Sequence, residues 1–129
     1  MVESTVQVPF RITDINLGFQ EAEGLIRYES NRVVIEYRIK DALGMSIKSD
    51  VKELNIGIGE LTSIEIKDWW ITMRLILSVK SMRLIDELPN SHSGEVTMKI
   101  ARKHRKALRD FVSSTRLAIS EYRLNQLED

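Results

Sequence analysis

The residues best suited to bind a ligand form a basic cluster in the last third of the chain. Arg102-Lys103-His104-Arg105-Lys106 is preceded by Lys99 and followed by Arg109. Positive charge at a helix N-terminus opposes the helix dipole and costs up to about 1 kcal/mol per residue, so a function would explain this placement. Because guanidinium and ammonium groups bind phosphates and carboxylates, the cluster is a candidate site for an anion, a lipid or an acidic partner. Its candidate residues are Lys99, Arg102, Lys103, Arg105 and Arg109.

The same cluster also has a plainer interpretation. Long basic side chains can cover a sheet edge with their stems while their charged ends stay in water. Nearby carboxylates at Glu95, Asp110 and Glu121 would then balance the charge, in exposed pairs that contribute little to stability. Both interpretations remain open at this point.

Side chains that could catalyse a reaction are few and badly spaced. His92 falls in a polar loop and His104 in the basic cluster, with no spacing that would place both on one metal ion. Asp86 and Glu87 are neighbours on a predicted strand and should point to opposite faces. The sequence therefore predicts no catalytic residue, no metal site and no cofactor, and it indicates a protein that is not an enzyme.

Two adjacent tryptophans are the second unusual feature. Neighbouring residues on a strand face opposite sides, so only one of Trp69 and Trp70 can enter the core. We expect the chain itself to cover the outward one. The alternative is a subunit interface, which Ile76 favours because it shares a face of the predicted strand with Trp70. Trp70 and Ile76 are therefore the candidate interface residues.

Composition indicates one globular domain, residues 1–129. The chain has 43% apolar and 29% charged residues, and its 19 basic residues balance 19 acidic ones. No overall field would attract nucleic acid, so no nucleic-acid partner is expected, and an anionic membrane could be attracted only locally.

The absence of cysteine and of a secretory signal predicts a cytoplasmic location. The longest apolar-rich stretch, 69–79, is too short for a bilayer, which needs about 20 residues.

Alternation of apolar and polar residues dominates the first three quarters of the chain, which is typical of half-buried strands. Asp41 to Asp50 contains Gly44 and two serines and is interpreted as a loop or a bent strand end. Residues 1–22 are interpreted as an N-terminal extension or an extra strand, 23–101 as a seven-stranded sheet and 102–127 as a helix. The seven predicted strands are 25–29, 32–40, 53–58, 61–67, 69–79, 82–88 and 95–101.

After Ala101 the apolar period changes from two to about 3.6. A helix is predicted, with a stripe through Leu108, Phe111, Val112, Thr115, Ala118, Ile119 and Tyr122. Short loops between strands require antiparallel pairing, because parallel crossovers need a dozen or more residues. The predicted class is mainly β (α+β): a bent antiparallel meander of seven strands, or partly open barrel, capped by one C-terminal amphipathic helix.

This order of elements resembles the pleckstrin-homology-like (PH-like) superfold, in particular its short bacterial members. The resemblance covers about Glu23 to Tyr122 and is carried by the first hairpin at 24–37, the fourth strand and its turn at 61–70, and the last strand and helix at 96–119. It implies two near-orthogonal sheets whose open corner is plugged by the helix. Members bind inositol phospholipids, peptides or partner proteins, or form oligomers. Lipid-binding members carry a basic cluster around the first hairpin loop, where this chain has Glu29-Ser30-Asn31-Arg32.

The sequence thus predicts a non-catalytic binding or assembly module. Its partner would be a second copy of the chain or another protein, reached through an exposed edge strand or through Trp70 and Ile76. The alternative is a membrane-targeting module that binds anionic lipid or phosphate through the basic start of the helix.

Overall fold

A computed structural model describes residues 6–42, 49–68 and 70–128 of the chain. Within these ranges it contains seven β-strands, three short 3₁₀ turns and one long α-helix. The predicted loop at 41–50 falls partly on residues 43–48, which lie outside the described residues. The elements are β1 (Gln7–Ile15), β2 (Gln20–Glu29), β3 (Arg32–Asp41), β4 (Lys52–Gly57), β5 (Leu61–Asp68), β6 (Thr72–Val79), β7 (Glu95–Ala101) and α1 (Arg105–Leu127).

The strands form one antiparallel sheet in the order β4-β3-β2-β1-β7-β6-β5. This confirms the predicted class, an antiparallel seven-stranded sheet with one C-terminal helix. The prediction of a single meander is wrong, because the first strand pairs with the last, at Arg11 opposite Lys99. The sheet consists of a four-stranded meander and a three-stranded meander that meet at this pair.

The two edge strands of the sheet, β4 and β5, are joined by only three residues, Ile58–Glu60. The Ile58 amide donates to the Asn31 carbonyl oxygen at 2.9 Å, and the Lys80 amide donates to the Glu60 carbonyl oxygen at 2.9 Å. These bonds tie the connection to both meanders. Because so short a connection must bring both edges to one corner, the sheet curves round on itself while remaining open.

The seven strands are not the seven that the sequence predicts. The predicted strand at 82–88 is wrong: Met82–Leu84 is a 3₁₀ turn, and the segment buries Ile85 and Leu88 by turning. The N-terminal segment replaces it, since β1 buries alternate residues. The sheet therefore begins at Gln7 and not at residue 23, and the interpretation of residues 1–22 as including an extra strand is the one that fits.

Helix α1 packs most of its predicted apolar stripe against the sheet, but Tyr122, at the end of the stripe, is 37% exposed. Its buried residues are Leu108, Phe111, Val112, Thr115 and Ile119. The one polar member of this stripe, Thr115, donates its hydroxyl to the Phe111 carbonyl oxygen at 2.8 Å, so burying it leaves no unsatisfied group. The helix begins at Arg105, three residues after its predicted start, because Arg102–His104 is a 3₁₀ turn.

Two arginines of α1 cover the open edge of β5. Arg116 donates from Nε and Nη2 to the Ile64 carbonyl oxygen at 3.1 and 2.9 Å, and Arg123 donates from Nη2 to the Thr62 carbonyl oxygen at 3.1 Å. Unpaired strand edges are templates for aggregation. The helix therefore both seals the core and protects one edge. The other edge strand, β4, is short and carries Lys52 and Glu53, as protected edges often do.

Candidate functional site

Four basic side chains lie directly opposite one another on four neighbouring strands. Arg11 of β1 is opposite Lys99 of β7, which is opposite Arg74 of β6, which is opposite Lys67 of β5. We call these residues the basic row. Directly opposed side chains have Cβ atoms about 4.5–5.5 Å apart, and like charges there are destabilising. A row of bases across the sheet is therefore unfavourable for folding alone.

The core fixes the position of this row. On β6 and β7 the inward residues are fully buried and opposed in pairs, Leu75 with Met98 and Met73 with Ile100. Side chains alternate between faces along a strand. Arg74 therefore has to point outward, opposite Lys99.

The outer face of the four-stranded meander is different, because its charges neutralise one another. Arg27 pairs with Glu36, and Glu23 pairs with both Arg38 and Lys40 at 2.8 Å. The hydrogen bond from Lys40 is the largest cause that lowers the pKa of Glu23 below its ordinary value of 4.5, and the same bond raises the pKa of Lys40. The basic residues Arg27, Arg38 and Lys40 of the β2–β3 hairpin are thus engaged by carboxylates.

This network predicts acid sensitivity. Because the folded pKa of Glu23 is lowered, its contribution to stability is present above pH 4.5 and is lost as the pH falls through the folded pKa. We expect the free energy of unfolding to decrease on this account below about pH 4.5. Urea unfolding of the wild type and of Glu23→Gln at several pH values measures it. The difference between the two proteins should shrink in acid, and a difference independent of pH would contradict the assignment.

Ion pairing is weak at three members of the basic row, Arg11, Lys67 and Lys99. Arg11 approaches Glu21 at 3.9 Å. Among the described residues, Lys67 and Lys99 form no ion pair with any carboxylate. Lys67 and Lys99 therefore place positive charge on the outer face of the three-stranded meander, and no carboxylate of the described residues pairs with it.

A small polar pocket lies at the β1 side of the row. Arg74 and Lys99 line a volume of about 200 Å³ together with Thr13 and Thr97, and the carboxylate of Asp14 lies at the same pocket. The two bases supply charge and Thr97 can supply a hydroxyl donor, whereas the Thr13 hydroxyl donates to the Asp14 carboxylate at 3.3 Å. Such a pocket is suited to a single anionic group that approaches from the side of the bases.

The turn between β5 and β6 projects two apolar side chains beside the basic row. Trp70 is 83% exposed and Ile71 is 74% exposed; we call this pair the hairpin tip. Trp70 lies in a bend before β6 begins, so the expectation that the chain covers it is wrong. Trp69 lies outside the described residues.

The candidate interface pair does not form one apolar surface. Ile76 is half-buried on the outward face of β6, opposite Thr97 of β7 and Glu65 of β5. Arg74 lies on the same face of β6 between Ile76 and the hairpin tip. Trp70 is therefore better described as a neighbour of the basic row than as a partner of Ile76.

The structure divides the basic cluster predicted from the sequence. Lys99 belongs to the basic row, and Arg102 pairs with Asp68 at 2.7 Å, next to the hairpin tip. Lys103 is exposed in the 3₁₀ turn. Arg105 and Arg109 are exposed on the first turns of α1, and Arg109 shares a helix flank with Arg116, seven residues later, which contacts β5. The sequence did not single out Arg11, Lys67 and Arg74.

The described part of the chain offers little support for other kinds of site. Residues 6–42, 49–68 and 70–128 contain no group of three or more His, Cys, Asp or Glu side chains placed to hold a metal ion. His92 is exposed and its backbone bridges to Glu95, while His104 is half-buried at the helix start. Over the same ranges, no helix has the length and hydropathy needed to cross a membrane.

Comparison with family models, with curated proteins and with solved structures found no match to this chain. The basic row and the hairpin tip are therefore the features from which we infer a function.

Proposed function

We propose that this protein is a non-catalytic binding module of PH-like architecture that docks on an anionic membrane surface. The PH-like assignment is supported by the four-stranded and three-stranded meanders that meet at β1 and β7, and by the C-terminal helix packed on their open side. The docking surface is the basic row together with the hairpin tip. One observation carries the proposal: bases at four directly opposed strand positions adjoin two exposed apolar side chains.

Electrostatic attraction supplies the first part of binding. A basic residue near an anionic leaflet contributes about 1 kcal/mol, and the effect decays within a Debye length of about 8–10 Å. The neutral overall charge of the chain is no obstacle, because the carboxylate of Glu23, which lies directly opposite Arg11 on the same face of the sheet, is already engaged by Arg38 and Lys40. Lys67, Lys99 and the exposed Arg11 can therefore act on the same stretch of membrane.

The hairpin tip favours a lipid surface over an acidic protein. Tryptophan is enriched at membrane interfaces, where the ring sits at the level of the headgroups. Ile71 is an aliphatic neighbour that can enter the acyl boundary beside it. A site for an acidic protein would need the bases but would not need a protruding indole next to a branched aliphatic side chain.

Vesicle co-sedimentation tests the proposal. We expect binding to phosphatidylcholine vesicles that contain about 30% phosphatidylserine, weak binding to pure phosphatidylcholine, and release by salt. Lys67→Glu with Lys99→Glu should weaken binding at least about tenfold, since two attractive charges become repulsive. The matched control is Lys52→Glu with Arg83→Glu, two exposed bases outside the row, because it changes the net charge equally.

The tip is tested separately. Trp70→Ala with Ile71→Ala should also weaken binding to these vesicles, whereas Leu17→Ala with Phe19→Ala, at the exposed turn after β1, should not. Equal losses in row and control variants would overturn the proposed site. Binding of an acidic peptide or of RNA that needs the row but not the tip, with no vesicle binding, would overturn the lipid assignment.

The predicted self-association is a separate proposal. It is supported by an exposed apolar stripe on the outer side of α1.

A further inference from the structure

Helix α1 carries a second apolar stripe that the sheet does not cover. Leu117, Leu124 and Leu127 are 61%, 60% and 81% exposed. With Ser113 and Ser120, both exposed, they occupy positions separated alternately by four and three residues. This is the spacing of the a and d positions of a coiled coil. We call these five residues the outer stripe.

The outer stripe is distinct from the stripe that holds the helix on the sheet. The buried stripe is centred on Leu108, Thr115 and Ile119, and the outer stripe faces away from it. Single exposed leucines are ordinary on protein surfaces. Three that fall at a and d positions of one helix, Leu117 and Leu124 at a and Leu127 at d, form a seam that a second helix can cover.

We propose that α1 pairs with α1 of a second copy, parallel and in register, through the outer stripe. This inference goes beyond the proposed membrane docking and does not depend on it. The charges beside the seam support the second copy as the occupant. With Leu117 and Leu124 at a positions, Arg116 and Arg123 are at g positions, and Glu121 and Glu128 are at e positions.

The two helix orientations differ in how these charges meet. In a parallel pair each g residue meets the e residue five positions later on the other helix. Arg116 would then meet the partner's Glu121, and Arg123 would meet the partner's Glu128. In an antiparallel pair g faces g and e faces e, which would place arginine against arginine and glutamate against glutamate. Charge complementarity therefore selects the parallel arrangement.

Arg116 and Arg123 can bind the β5 edge and the partner helix at the same time. Arg116 uses Nε and Nη2 to hold the Ile64 carbonyl, and Arg123 uses Nη2 to hold the Thr62 carbonyl. A guanidinium group has five N–H donors, so Nη1 of each arginine can donate to the partner's carboxylate. The β5 edge contacts would also hold the arginines in place for this interaction.

The seam is short and two of its positions are serines. Its two heptads, 113–127, would bury an area at the low end of specific interfaces, which is typical of weak and transient complexes. Sedimentation equilibrium without lipid, over roughly 10 to 500 µM protein, should therefore show a monomer that becomes a dimer with increasing concentration.

Variants define the surface. Leu117→Gln with Leu124→Gln should keep the protein monomeric over this range with unchanged urea unfolding at low concentration. Leu17→Gln with Met82→Gln, at exposed apolar positions elsewhere, should leave the dimer intact. A monomer at every concentration in the wild type, or a dimer unaffected by the leucine variants, would overturn the inference. Neither result would alter the vesicle experiment.

An introduced cysteine tests the orientation, since the chain has none of its own. Ser113→Cys lies at one end of the seam, so a parallel in-register pair places the two introduced thiols opposite each other and oxidation should cross-link them. Glu121→Arg should weaken dimerisation at low salt by placing like charges together. A Ser113→Cys dimer that does not cross-link on oxidation would overturn the parallel arrangement.

Discussion

Replacing Gly24 with alanine is expected to lower the free energy of unfolding by at least about 3 kcal/mol, at the severe end for single substitutions. Gly24 lies in β2 between Phe10 of β1 and Tyr37 of β3. An added Cβ would lie 1.9 Å from the Glu36 carbonyl oxygen, 2.9 Å from Cζ of Phe10 and 2.9 Å from Cα of Tyr37. Two of these three atoms belong to the backbone, so relief requires β2 and β3 to separate.

Urea unfolding followed by circular dichroism measures this loss. The matched control is Gly18→Ala, because Gly18 has a φ of +87° and no atom within 4 Å of an added Cβ. That variant should lose only about 1 kcal/mol, from the left-handed backbone alone. Equal losses in the two variants would mean that the strands around Gly24 relax freely, which would contradict the crowding.

Phe111→Ala is expected to lower the free energy of unfolding by about 3–5 kcal/mol. Phe111 is 2% exposed and belongs to the core formed by the inner face of the sheet and α1. Truncating it removes a ring from the interface that holds the helix on the curved sheet. The expected loss combines the lost burial with a cavity that rigid neighbouring strands cannot fill.

Leu117→Ala is the control for this substitution. Leu117 lies on the same helix but is 61% exposed, and leucine and alanine both favour helix. Its effect on the unfolding of dilute protein should stay within about 0.5 kcal/mol. A loss below about 1 kcal/mol in Phe111→Ala would contradict the role of the helix as part of the core.

The elements that the sequence predicts well are those defined by local patterns. Strand β3 carries apolar residues at every second position from Val33 to Ile39, with Val34 buried in addition, and the buried stripe of α1 follows the helical period. Strand β1 has a clear alternation too, but Pro9 weakens the pattern because proline cannot donate to a neighbouring strand. The structure accommodates Pro9 because β7 pairs with β1 only at Arg11.

The segment 82–88, after β6, is wrongly predicted as a strand for a different reason. Ile85 and Leu88 are buried three residues apart, with Asp86 and Glu87 exposed between them. A spacing of three indicates turns and a spacing of two indicates a strand. The segment therefore contributes to the core without joining the sheet, and its apolar content alone resembles that of a strand.

The candidate site was only partly accessible to prediction, because it depends on strand register. Lys67 and Lys99 are 32 residues apart in sequence and lie on strands separated by β6. The outward position of each follows from local alternation. Their alignment across the sheet follows from the pairings of β5, β6 and β7, which are set by buried contacts that no single strand contains.

The arginine contacts on β5 also have a consequence for biosynthesis. Arg116 follows Ile64 by 52 residues, so at typical translation rates the ribosome adds it roughly 3 to 10 s later. During that interval a nascent sheet would present two open edges, and neighbouring nascent chains could pair with the one on β5. Completion of the helix ends this period of exposure. Shortened chains that lack the helix should accumulate as aggregates, even though every strand of the sheet is present.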